Sequence, residues 1–116
     1  MFLKLKHTEL DIFQATKALT LECYKATLLL PADERFAMVQ QIRRAALSVH
    51  LNVAEGCSRK SGAERKRYYE IARGSVVEID TAFDIAVNFN YCPEESLQVL
   101  GQKIVSAYKQ LSGLIG

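Results

Sequence analysis

The sequence has 116 residues, of which 49% are hydrophobic and 24% charged, with a formal net charge of +2. This length fits one domain, and these fractions exclude an intrinsically disordered chain. No apolar run approaches the roughly 18 residues of a membrane span, and the first residues lack the apolar core of a signal peptide, so we expect a cytoplasmic protein without membrane contact.

Sparse helix breakers divide the chain into four long segments with no sustained strand-type alternation. The breaks are Pro31, the flexible residues 56–62, and Pro93. They predict helices at about residues 8–29, 32–55, 62–90 and 94–113. Because short connections make sequential helices antiparallel, the predicted fold is all-α, an antiparallel up-down-up-down four-helix bundle.

The first helix carries two lines of apolar residues on roughly opposite sides. One line comprises Ile12, Ala15, Leu19, Cys23 and Ala26; the other comprises Leu10, Phe13, Leu21, Tyr24 and Leu28. A bundle helix leaves one side in water, so the second line predicts a subunit interface. The alternative is a deeply buried helix in a compact monomer with scattered surface leucines.

Helix 2 has the clearest bundle seam, with spacings of three and four at Phe36, Val39, Ile42, Ala46, Val49 and Val53. Away from this seam, Leu47 and Leu51 extend the predicted subunit interface. Gly56 is predicted to end the helix in a left-handed conformation.

The remaining two helices have start signals of their own. Ser61 and Glu64 predict a capping box at the start of the third helix. Pro93 suits the first turn of the fourth, whose predicted seam is Leu97, Leu100, Ile104, Tyr108, Leu111 and Ile115.

Several motifs together resemble a bacterial family of four-helix-bundle proteins first associated with intervening sequences in ribosomal RNA genes. They are Gln41-Ile42-Arg43-Arg44-Ala45-Ala46-Leu47-Ser48-Val49, Asn52-Val53-Ala54-Glu55-Gly56 and Ser58-Arg59-Lys60-Ser61, with Leu30-Pro31, Glu34, Ile71-Ala72-Arg73-Gly74-Ser75 and Glu78 around them. The resemblance covers nearly the whole chain and implies a homo-oligomeric ring, typically a pentamer. A distant relative is an accessory protein of a retroelement reverse transcriptase, a pentamer with a basic nucleic-acid-binding surface. The family usually has a proline where this chain has His50, so we expect a straighter second helix here.

Charge is distributed unevenly along the chain. Residues 43–73 contain eight Lys or Arg against three Glu, whereas residues 74–95 contain five acidic residues and no basic one. The basic stretch predicts phosphate contacts with RNA or DNA, and its candidates are Arg59, Lys60, Arg65, Lys66, Arg67 and Arg73. The alternative is a solvated helix start that pairs with the acidic end of the third helix. Arg44 fits an ion pair at a subunit contact as well as it fits phosphate binding. Glu55 is either its partner or a brace for the following loop, and a structural use is favoured for both residues.

No catalytic or metal-binding constellation is present in the sequence. The Glu-x-x-His pairs of di-iron bundles are missing, and His50 with Cys57 supplies only two ligands. The three cysteines lack the pattern of a disulfide framework. We therefore expect a non-enzymatic protein without a cofactor, which assembles with itself and binds nucleic acid or a nucleic-acid-processing protein. The alternative is a structural or protein-partner adaptor with no nucleic-acid role.

Overall fold

The computed structural model of the chain describes residues 1–116, which form four helices and no strand. The helices are α1 (Asp11–Ala26), α2 (Met38–Ser58), α3 (Gly62–Asn88) and α4 (Gln98–Ile115). Four short 3-10 turns flank these helices: Lys6–Glu9 precedes α1, Thr27–Leu29 follows it, Ala32–Glu34 precedes α2, and Glu94–Leu97 precedes α4. The four predicted helices are confirmed, and their ends shift by up to six residues. The 3-10 turns shorten α1 at both ends and α2 and α4 at their starts, whereas α2 and α4 extend beyond their predicted C-terminal ends.

Each helix packs against two neighbours, in the cyclic order α1, α2, α3, α4. Residues later in one helix contact residues earlier in the neighbouring helix, so sequential helices are antiparallel. The pairs are Thr16–His50 and Thr20–Ala46 for α1 and α2, and Tyr69–Cys57 and Ser75–Ser48 for α3 and α2. Arg73, in the middle of α3, contacts Ser112 near the end of α4, whereas Val87 at the end of α3 lines a groove with Leu97, which directly precedes α4.

The core lies between the four helices and follows most of the predicted seams. Leu19, Val49, Val53, Ile79 and Leu111 are fully enclosed within it. Burying such side chains stabilises the fold by roughly 1.5–3 kcal/mol each, which explains why the heptad-like spacing determines the architecture. None of the helices combines the length and apolar character needed to cross a membrane.

Phe36 was predicted to lie in the seam of α2, and this prediction is wrong. Phe36 precedes the helix and is 77% exposed, and Arg35 lies over its ring. The helix begins only at Met38 because Ala37 has a non-helical backbone (φ −126°, ψ −95°). The amide of Met38 donates to the carboxylate of Glu34 at 3.4 Å, so a side chain before the turn satisfies a free N–H of the first helical turn.

Phe13 is also misplaced by the sequence pattern. It was expected on the second apolar line of the first helix, yet it is 2% exposed. The N-terminal 3-10 turn folds over it: the His7 ring packs edge-on at 5.8 Å between centroids, and the His50 ring lies at 4.5 Å. Phe13 therefore belongs to the interior of the subunit and not to a subunit interface.

Helix ends follow local chemistry, with one exception. The Ser61 hydroxyl accepts the Glu64 amide hydrogen at 3.0 Å, which confirms the predicted cap of α3. After α3, Asn90 takes a left-handed conformation (φ 61°), and the Tyr91 amide donates to the Ala86 carbonyl at 3.0 Å. This Schellman arrangement ends the helix.

Gly56 is the exception, because α2 continues past it to Ser58. It is buried within the helix against α3, and a Cβ placed on it would lie 2.9 Å from the Tyr69 ring. The glycine is needed for close packing of two helices and not for a left-handed turn.

Candidate nucleic-acid interface

The basic residues gather at one end of the bundle, around the short loop between α2 and α3. At this end α1 and α3 begin and α2 and α4 finish. The first amides of α3 point outward here, where the helix dipole is positive. The loop therefore adds side-chain charge to an end that already favours anions.

Two of the predicted phosphate-binding residues serve the loop itself. The Arg65 guanidinium donates to the carbonyl oxygens of Lys60 at 2.7 Å and Arg59 at 3.0 Å. The Arg59 guanidinium lies 3.4 Å from Glu55 and 3.7 Å from Glu64, and donates to the Tyr68 hydroxyl at 3.1 Å. These contacts hold the loop in one conformation.

Around the α2–α3 loop, Lys60, Lys66 and Arg67 are the basic residues that remain available. All three are exposed and none is in an ion pair with the chain's own carboxylates. Arg73 is different, because it is half-buried, donates to the Ser112 hydroxyl at 3.2 Å and lies over the Tyr108 ring. We call Lys60, Lys66 and Arg67 the free basic cluster.

Within the chain, the basic end does not pair with the acidic part of α3. The ion pairs are Lys25–Glu22, Arg59–Glu55 and Arg59–Glu64. Asp80 and Asp84 lie farther along α3, near the opposite end of the bundle. Charge is therefore separated between the two ends instead of being neutralised.

The residues predicted at a subunit interface mostly lie on the outer face of α1 and α2. Five leucines, which we call the leucine face, are exposed there: Leu10, Leu21, Leu28, Leu47 and Leu51. Burying these leucines against a second copy of the chain would remove a large apolar area from water.

The polar and aromatic candidates of that face differ in their surroundings. Arg44 is exposed and has no ion pair. Glu55 contacts Arg59 and accepts from the Ser58 hydroxyl at 3.3 Å, so it braces the following loop. Tyr24 is half-buried beneath the guanidinium of Arg43 at 4.8 Å.

Sequence reasoning missed a line of threonines where α1 meets α2. The Thr16 hydroxyl lies 2.8 Å from Nδ1 of His50, the Thr20 hydroxyl donates to the Ala46 carbonyl, and Arg43 Nε donates to Thr27 at 2.9 Å. Their spacing of four and seven residues places them on one helical side, which was the available signal.

His50 takes part in this line without interrupting α2, which runs as one helix from Met38 to Ser58. Burial first, and the charge of Lys17 second, lower the pKa of His50 below its ordinary value of 6.5. The neutral imidazole is therefore the form that packs on Phe13 and contacts Thr16.

Burial keeps the Cys23 thiol, and the Tyr69 hydroxyl beside Cys57, in their protonated forms. Burial raises the pKa of the Cys23 thiol to about 12, so it stays protonated at neutral pH. Cys57 Sγ lies 3.5 Å from the Tyr69 hydroxyl, which is no base for a nucleophile because burial raises the tyrosine pKa to about 12. No group of three or more His, Cys, Asp or Glu side chains is placed to hold a metal ion.

A comparison with curated proteins finds no match to this chain. A family model described as 23S rRNA-intervening sequence protein does match, over residues 8–113, which include α1, α2, α3, the loop that carries the basic end, and all but the last two residues of α4. The match agrees with the motifs of α2 and with the four-helix fold described above. The chain thus belongs to the 23S rRNA-intervening sequence protein family.

Proposed function

We propose that this protein is a non-enzymatic homo-oligomer that binds nucleic acid through the basic end of its bundle. The observation that carries the proposal is the free basic cluster: Lys60, Lys66 and Arg67 are exposed, unpaired and held at the start of α3 by a braced loop. Because the family description names an rRNA intervening sequence, RNA is the first ligand to test.

Self-association would strengthen such binding. Three cations in one subunit make few phosphate contacts, but a ring repeats the free basic cluster once per subunit. Once one cluster has bound the nucleic acid, the other clusters bind it at a raised effective concentration. The leucine face supplies apolar surface for subunit contacts, and the family resemblance implies a pentamer. In that assembly, Arg59 and Arg65 orient the loop while Lys60, Lys66 and Arg67 contact phosphates.

A filter-binding assay with a single-stranded RNA at low salt tests the proposal. Replacing Lys60, Lys66 and Arg67 with Ala is expected to weaken binding at least tenfold. The matched control replaces Arg35, Lys103 and Lys109, which removes the same charge elsewhere on the bundle, and is expected to stay within about threefold of wild type. Equal binding by both triple variants would contradict a specific basic interface.

A protein-partner adaptor without nucleic acid is the second candidate, favoured by the structural use of Arg59, Arg65 and Arg73. If the adaptor function is correct, the wild-type protein does not bind RNA at low salt, and neither triple variant changes that result. A nucleic-acid-processing enzyme as partner is distinguished by nuclease treatment, which releases an RNA-bridged complex and leaves a direct protein contact intact.

A further inference from the structure

The α3–α4 side of the bundle contains a groove that the proposed function does not use. It has a volume of about 730 Å³, in the range of ~300–1,000 Å³ typical of binding clefts. Its floor is apolar, with Phe83, Leu100 and Ile104 mostly enclosed.

The rim of this groove is acidic. Asp80, Asp84 and Glu94 line it, and none of the three carboxylates has an ion pair or hydrogen bond with a side chain of the chain. One cation, Lys109, lies at its edge. An apolar floor with unpaired carboxylates on the rim fits a segment that is both apolar and basic.

The chain itself provides one such segment, the N-terminal arm (residues 1–6). Its apolar residues are largely in water, with Phe2 fully exposed, and they alternate with exposed Lys4 and Lys6. Both the arm and the groove thus expose apolar surface, and the basic charge of the arm is complementary to the acidic rim of the groove.

The arm does not reach the groove of its own subunit. The 3-10 turn Lys6–Glu9, which begins at the last residue of the arm, contacts α1 and α2, with His7 on Phe13 beside His50. The groove lies on the opposite side, across two helix layers or about 20 Å, and more than 10 Å farther along the axis. Six extended residues span about 20 Å in a straight line, which is too short for a path around the bundle.

We propose that the N-terminal arm of one copy docks in the α3–α4 groove of a second copy. Phe2 and Leu3 enter the apolar floor, and Lys4 and Lys6 lie against Asp80 and Asp84 on the rim. This contact rests on the self-association part of the proposed function, but it uses neither the leucine face nor the free basic cluster. It would link neighbouring copies in a defined direction, because arm and groove are different surfaces.

Disulfide cross-linking between two differently tagged full-length variants tests the contact. One carries Leu3→Cys and the other Gln102→Cys in the groove, both with Cys57→Ser to remove the half-buried thiol. Mild oxidation of the mixture is expected to give a mixed cross-linked dimer at least tenfold above a control in which the second cysteine replaces exposed Gln40. Asp80→Lys with Asp84→Lys is expected to abolish the cross-link, and adding Lys4→Glu with Lys6→Glu to the arm to restore it.

Two results would overturn the proposal. Mixed dimer at the level of the Gln40→Cys control shows that the arm does not visit the groove. An internal disulfide in the Leu3→Cys/Gln102→Cys double variant, without mixed dimer, assigns the groove to the arm of the same chain. Light scattering on the same samples distinguishes the arm–groove contact from self-association. An oligomeric mass without a mixed cross-link would refute the arm–groove contact and leave self-association standing.

Discussion

The guanidinium of Arg59 donates to the Tyr68 hydroxyl at 3.1 Å and also lies over the Tyr68 ring, 5.1 Å from its centroid. One residue of the α2–α3 loop is thereby fastened to the first turns of α3. This contact separates two uses of basic residues at the same end of the bundle: Arg59 shapes the loop, whereas Lys66 and Arg67 remain exposed.

Arg59→Ala is expected to lower the free energy of unfolding by about 1 kcal/mol, since it removes one charge-assisted hydrogen bond and two partly exposed ion pairs. Urea unfolding followed by circular dichroism measures it. Arg67→Ala is the matched control and is expected to stay within about 0.5 kcal/mol of wild type. Equal effects of the two substitutions would contradict the division of roles.

Gly56→Ala is expected to destabilise the bundle by about 1–3 kcal/mol, because the new methyl group would lie 2.9 Å from the Tyr69 ring and 3.0 Å from Tyr68 Cβ. Gly74→Ala in α3 is the control: a Cβ there meets nothing within 4 Å, so it is expected to stabilise by up to ~1 kcal/mol. Thermal unfolding of both variants measures the difference. If Gly56→Ala were as stable as Gly74→Ala, the close approach of α2 and α3 would be wrong.

Stability is expected to fall as the pH drops below about 6.5, the ordinary pKa of histidine. His50 has a lowered pKa in the folded protein, so the unfolded chain binds the proton more readily. The loss begins at the unfolded-state pKa and continues until the pH passes the lower folded-state value.

Urea midpoints for wild type and His50→Gln between pH 8 and pH 5 test this dependence. The difference between the two proteins is expected to shrink as the pH falls, because glutamine does not titrate. A difference that stays constant across this range would show that His50 does not change protonation on unfolding.

Leu21→Asp and Leu51→Asp are expected to reduce the particle mass measured by light scattering, since each places a charge within the leucine face. Leu114→Asp, an exposed leucine at the end of α4, is the control and is expected to leave the mass unchanged. A wild-type mass near 13.0 kDa at micromolar concentration would refute self-association altogether.

The sequence predicts what depends on nearby residues. The Ser61 cap and the seam from Ile42 to Val53 follow from spacing, and both are confirmed. Phe13 and Phe36 were misassigned because their burial depends on how turns outside the helices fold. A periodic pattern does not show that His7 covers Phe13, or that Ala37 leaves the helical conformation.

The candidate site shows the same limit. A run of basic residues identifies the loop, but it does not say which side chains are free. Arg65 donates to two loop carbonyls only because residues 59 and 60 turn back toward α3. The spacing of the threonines places them on one helical side, but only the fold brings Thr16 beside His50, which lies 34 positions away in sequence.

The salt dependence of RNA binding reports directly on phosphate contacts by the free basic cluster, because each phosphate contact releases counterions. For single strands, the slope of log K against log salt concentration changes by about 0.7 per contact. We expect the slope to become shallower by about 2 for each bound subunit when Lys60, Lys66 and Arg67 are replaced with Ala. The slope is expected to stay unchanged in the control that replaces Arg35, Lys103 and Lys109. A triple variant of the free basic cluster with the wild-type slope and affinity would contradict these phosphate contacts.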